Sequence, residues 1–223
     1  MRADVSFESG GISCRGWFYC PGNISHPAPA IVMSHGITAV KEQYLDDFAQ
    51  RFAAEGFAVL VFDYRHLGAS DGTPRGKIDP SLQQDDVRAA LTWVAKQPGV
   101  DPARLALWGS SFSGGHALFV GALDPRVRVI VAQVPALDIP RSLIGLLGRD
   151  GFNGLLGSLS DDFTARTAGA AGAVIPVVAP PGEMAFLGTP DAFKWFTESA
   201  KAVAPQWLNQ ISLESIALSL IHI

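Results

Sequence analysis

At 223 residues, 48% of them hydrophobic, the chain can bury one sizeable core, which excludes a disordered or fibrous class. Lys and Arg number 17 against 21 Asp and Glu, a formal net charge of −4 with no basic run, so nucleic acid is not expected as a partner. No apolar stretch approaches the roughly 18 residues of a membrane span, so no membrane partner is expected either. The length fits one large domain, or one with an insertion. Cys14 and Cys20 lack metal-ligand spacing and read as reduced thiols, so no metal and no cofactor is expected. The first residues show neither a long apolar run nor a cleavage site, which leaves a cytoplasmic location as the expectation. Oligomeric state leaves no sequence signal.

In chain order, residues 5–7 and 12–19 read as two strands joined at Gly10-Gly11, a hairpin signal. A loop is expected over 21–29. The nearly continuous apolar run 30–34 has the pattern of a strand buried on both faces. Leu45, Phe48, Ala49 and Phe52 recur at helical spacing within 44–55, and Gly56 closes that helix. Residues 58–62 form a second buried strand. A helix over 81–93 carries Val87, Ala90 and Leu91 on one face, and 105–108 and 127–134 read as two further buried strands. Short apolar strands alternating with amphipathic helices predict a mostly parallel sheet covered on both faces. The stretch 137–205, rich in Gly, Ala and Pro, predicts a helical lid inserted into the sheet domain. The expected division is therefore a core over 1–136, a lid over 137–205 and a return toward the core from 206 to 223.

Directly after the strand 105–108 comes Gly109-Ser110-Ser111-Phe112-Ser113-Gly114-Gly115, followed by an apolar helix. A serine in a sharp strand-to-helix turn is a nucleophile elbow, and the turn requires small residues two before and two after the nucleophile. Ser110 would place Trp108 and Phe112 there and fails. Ser113 lies inside the helix. Ser111, flanked by Gly109 and Ser113, meets the requirement and is the candidate nucleophile. The alternative is an ordinary serine cap at a helix N-terminus. The third strand runs into Ser34-His35-Gly36-Ile37, in the loop where a fold built on such an elbow takes its second oxyanion donor. The expected donors are the backbone N–H groups of Ile37 and Phe112. His35 reads as structural.

The His35-Gly36 loop, the segment from Phe62-Asp63-Tyr64-Arg65 to Ser70-Asp71-Gly72, and the elbow together resemble α/β-hydrolases of the dienelactone-hydrolase-like and Xaa-Pro-dipeptidyl-peptidase-like group. The resemblance runs from about residue 5 to 210 and is strongest over 30–135. It implies an α/β-hydrolase fold with a lid, and serine-dependent hydrolysis of an ester or related acyl bond in a small-molecule substrate. It also implies that Asp63 and Arg65 are architectural, bracing the elbow. Peptidase or acyltransferase chemistry on the same fold is the alternative, as is a catalytically incomplete binding module.

The triad order in such a fold is Ser, then Asp or Glu, then His. After Ser111 only His116 and His222 remain. His116 is about 140° around and roughly 7.5 Å along the same helix, which turns its ring away from the serine. His222, next to last, lacks the following helix that holds a catalytic loop. Asp138 is a candidate acid with no matching base. The expectation is a chain truncated before its last strands, the acid and the histidine lying beyond it, with feeble or no esterase turnover as it stands.

Overall fold

The computed structural model describes residues 2–21 and 26–221. Part of the expected loop over 21–29, residues 22–25, lies outside them, as does His222. Strand β1 (Arg2–Ser9) turns at Gly10-Gly11 into β2 (Ile12–Tyr19), antiparallel, with Phe7 opposite Cys14. Both glycines have positive φ (57° and 79°), a conformation that costs other residues but not glycine. Then follow β3 (Ala28–Ser34), helix α1 (Leu45–Ala54), β4 (Ala58–Phe62), α2 (Pro80–Val94), β5 (Val100–Ser110), α3 (Phe112–Leu123) and β6 (Val127–Gln133). The sheet order is β1-β2-β4-β3-β5-β6. β2 meets β4 antiparallel, while β3, β4, β5 and β6 are mutually parallel. This is the expected mostly parallel α/β sheet with an antiparallel edge hairpin.

The strand periodicity of two sorts the central side chains into two cores. Ala30, Val32, Ala58, Leu60, Phe62, Leu105 and Leu107 face α2 and α3, where Val87, Leu91, Val94 and Val120 meet them. Ile31, Met33, Val59, Val61 and Trp108 face the other way, onto Leu45 and Ala49 of α1. Each fully buried large side chain contributes about 1.5–3 kcal/mol, which is why the short runs read as strands buried on both faces. β6 departs from that expectation. Val129 and Val131 are 56% and 46% exposed, because α3 covers the face that carries Val127 and Ile130 and leaves the opposite face of this edge strand open among the described residues.

Beyond β6, α4 (Ile139–Thr167) is broken at Gly148, and a two-residue strand β7 (Val174–Ile175) follows. Helix α5 (Pro190–Ala202), strand β8 (Ile211–Ser212) and helix α6 (Leu213–Ser219) complete the described chain. β8 pairs with β7 rather than joining the main sheet, so residues 207–219 remain in this second layer. The core of this layer, built from Leu143, Leu159, Val177, Val178, Phe186, Phe196, Ile211 and Ile216, also takes in Ala39, Ile78 and Phe112 of the sheet domain. Among the described residues no helix is long and apolar enough to cross a membrane.

Candidate active site

Ser111 stands between β5 and α3 with φ 56° and ψ −117°, a region that a non-glycine residue enters at a cost of about 1–3 kcal/mol. Both backbone groups are held from the end of β6. The Ser111 N–H donates to Gln133 O at 2.9 Å, and Ala136 N–H donates to Ser111 O at 2.9 Å. The small flanking residues have distinct reasons. A Cβ on Gly109 would run into the Ser113 carbonyl, so only glycine fits there. At the other flank, Ser113 stands in for the glycine of the stricter motif because its hydroxyl has a task. It donates to Ser34 O at 2.7 Å and accepts from Ser110 N–H at 2.9 Å, tying the ends of β3 and β5 together under the turn.

The 35–43 loop after β3 lies against the elbow. A Cβ built on Gly36 would stand 3.4 Å from Ser111 Cβ and 3.8 Å from Ser111 Oγ. This places the loop on the same side of the sheet as Ser111. The side chains of Ile37, Ala39 and Phe112, which flank the expected donors, all pack into the second layer's core. Beside the elbow opens a cleft of about 260 Å³, bounded by Gly36, Ser110 and Gln133 and walled by Phe48, Trp108 and Trp195.

Asp63 fastens this loop. Its carboxylate accepts from Lys41 N–H at 2.7 Å, Lys41 Nζ at 2.7 Å and Ala69 N–H at 2.9 Å. Lys41 Nζ also reaches Glu42 at 2.6 Å. Burial pulls the Lys41 ammonium down, but Asp63 and Glu42 outweigh burial and hold it above its ordinary value. Arg65 acts elsewhere. It pairs with Asp86 of α2 (Nε and Nη2 to Oδ1, 2.8 and 2.6 Å) and donates to Ser9 Oγ at 2.7 Å. Both residues are architectural, yet what they brace is the 35–43 loop and the junction of β1, β4 and α2, not the elbow itself. Lys41 and Asp86, absent from the sequence analysis, carry no local signal, since their partners lie about twenty positions away.

The histidines that the structure describes near the elbow point elsewhere. His35 is buried, and its Nδ1 is 3.0 Å from Gly36 O. A carbonyl can only accept, so Nδ1 carries the proton, and Nε2 faces Asp63 Oδ1 at 3.6 Å. Burial pushes this imidazole below its ordinary value, against the opposing pull of Asp63. His116 sets Nε2 3.0 Å from Gln83 Oε1, its ring edge-on to Tyr64 and Phe112. Asp138 caps α4, accepting from Arg141 N–H at 2.8 Å.

A strained serine between strand and helix, with a glycine-bearing loop against its hydroxyl, is geometry suited to acyl transfer. Residues 16–212 match the family model of the X-Pro dipeptidyl-peptidase (S15) family. The chain belongs to that family. This S15 chain is 36% identical to the quorum-quenching protein AidA of Acinetobacter baumannii over 193 residues, 86% of the chain and 63% of AidA. It is 41% identical to thiohydrolase aneE of Aspergillus aculeatus over 128 residues, 57% of the chain and 39% of aneE. The solved α/β hydrolase GrgF from Penicillium sp. sh18 superposes with a TM-score of 0.75 at 29% identity, covering 99% of the S15 chain and 73% of GrgF. The fold is thus that of an α/β hydrolase, and the chain spans less than two thirds of the curated relatives it matches.

Proposed function

We propose that this chain carries the nucleophile and oxyanion hole of a serine hydrolase acting on an ester or thioester of a small molecule. Ser111 Oγ attacks the acyl carbon, and the carbonyl oxygen takes up negative charge facing the N–H groups of Ile37 and Phe112. The bond to the alcohol or thiol then breaks, the serine proton passing through a general base to the leaving group. Water repeats the sequence on the acyl-serine, releasing the acid and restoring the hydroxyl. The observation that carries this reading is Ser111 at φ 56°, with Gly36 packed against its side chain. The second layer acts as the lid, and the cleft beside Gly36 and Ser110 admits the substrate. The thioester reading is supported by the name of aneE, a thiohydrolase. His35 is buried with Nδ1 on Gly36 O, and His116 is buried with Nε2 on Gln83, so the base is assigned to neither.

The test is a fluorophosphonate probe followed by peptide mapping. Ser111 is expected to be labelled, and Ser111→Ala to abolish labelling. Turnover of p-nitrophenyl acetate is expected to stay at the level that an oxyanion hole gives without a complete triad, about 10³-fold over water. Absence of labelling, or labelling at another residue, removes Ser111 from the mechanism. Fast turnover lost in His222→Ala would identify that residue as the base, and cleavage of X-Pro p-nitroanilides in preference to esters would replace the ester reading with a peptidase.

A further inference from the structure

Thr38 carries the 35–43 loop through a conformation that its own side chain resists. It is β-branched, has φ 60°, and is buried with a hydroxyl that finds no partner. The turn around it closes with Ala39 N–H donating to Gly36 O at 3.2 Å. Nothing in threonine favours this geometry, so the surroundings impose it. The anchor at Asp63 grips Lys41, three residues further on, and does not touch Thr38. What reaches Thr38 itself comes from the far end of the chain. Trp207 Nε1–H donates to Thr38 O at 2.9 Å. The indole is fixed in turn, stacked on Phe196 with centroids 5.0 Å apart and planes at 24°. A second tie runs the same way, from Gln43 Nε2 to Ser199 Oγ at 2.7 Å.

We propose that Trp207 is a positioning residue: through Thr38 O it holds Thr38 in the left-handed region and so aims the Ile37 N–H at Ser111. The second layer on this view is part of the oxyanion apparatus, setting its geometry as well as covering it. The inference rests on the assignment of Ser111 and Ile37 proposed above.

Trp207→Phe keeps a ring for Phe196 to stack on and deletes the N–H donor. Fluorophosphonate labelling of Ser111 is expected to slow by about 3- to 10-fold, the effect of one neutral hydrogen bond. Adding Thr38→Gly to that variant should return the rate toward the parent, because glycine adopts φ 60° freely. A role in packing alone predicts no recovery, since glycine fills no space. Amide hydrogen exchange over 36–41 gives a readout independent of chemistry. It should rise several-fold in Trp207→Phe and fall back in the double variant. If the parent chain is not labelled, the assignment of Ser111 fails while the exchange result still decides the role of Trp207. Unchanged exchange in Trp207→Phe overturns the proposal, as does slowed labelling that Thr38→Gly leaves unrestored.

Discussion

Burial pushes the His35 imidazole below its ordinary value of 6.5, with Asp63, Gly36 O and Glu42 pulling upward and Lys41 reinforcing burial. The unfolded chain therefore binds this proton at a higher pH than the folded one. Between the two values the unfolded state holds more protons, and stability rises with pH. The contribution is complete above about pH 6.5 and is lost as pH falls from there toward the folded value. His66 shifts the same way, again through burial first, and adds to the slope. The melting temperature is expected to fall from about pH 7.5 to about pH 5.5, and His35→Asn, which can still donate to Gly36 O, should make that fall shallower. Equal slopes in both proteins would mean that His35 does not titrate with unfolding. Residue-scale features differ in how far sequence reveals them. The strand-to-helix turn at Ser111 is legible because its demand for small neighbours is local, at Gly109 and Ser113. The strain at Thr38 could not be read, because its cause, Trp207, stands 169 positions away.

At the scale of elements, β1 and β2 were legible from the Gly10-Gly11 turn between them, and β3, β4 and β5 because each carries a short buried apolar run. The misreading of β6 as buried has a physical reason. Its sequence, Val-Arg-Val-Ile-Val-Ala-Gln, is that of a covered strand, while exposure depends on what lies beside it in space. Helix α4 was legible only as helical territory, since glycines at 145, 148, 151, 154 and 157 blur its apolar periodicity. Two of them make opposite demands. Gly148 has φ 72° at the break, whereas a Cβ on Gly154 would meet nothing within 4 Å in regular helix. Gly154→Ala should therefore raise stability by about 0.5–1 kcal/mol, seen as a higher urea midpoint. Gly148→Ala should lower it by about 1–3 kcal/mol, because φ 72° with ψ 171° is a region that only glycine enters freely. A loss of stability in Gly154→Ala would contradict a continuous helix on that side of the break.

For the molecule as a whole, the question is whether the sheet and the second layer unfold as one. Their shared surface is not a smooth interface of the kind that lets layers swing apart. Ala39, Ile78 and Phe112, all from loops and helix ends of the sheet domain, are members of the second layer's core, and Ile37 packs against it. Hydrogen bonds cross at Gln43–Ser199, Thr38–Trp207 and Ile78–Ser215. The last of these is the most exacting. Ile78 is fully buried, and its N–H donates to Ser215 Oγ of α6 at 2.9 Å. In Ser215→Ala the alanine fits the space, but the Ile78 N–H loses its acceptor in a site closed to water. A buried donor left without a partner costs about 1–3 kcal/mol. If the layers are one cooperative unit, that loss at their boundary is shared by both, and a single transition moves down by roughly 2–4 °C per kcal/mol. Near-ultraviolet circular dichroism, which weights the tryptophans of both layers, and far-ultraviolet signal from the helices should then trace the same curve. Two separated transitions in Ser215→Ala, with the lower one carrying only part of the helical signal, would show instead that residues 139–219 melt on their own and that the loop at Thr38 is held by a layer able to let go.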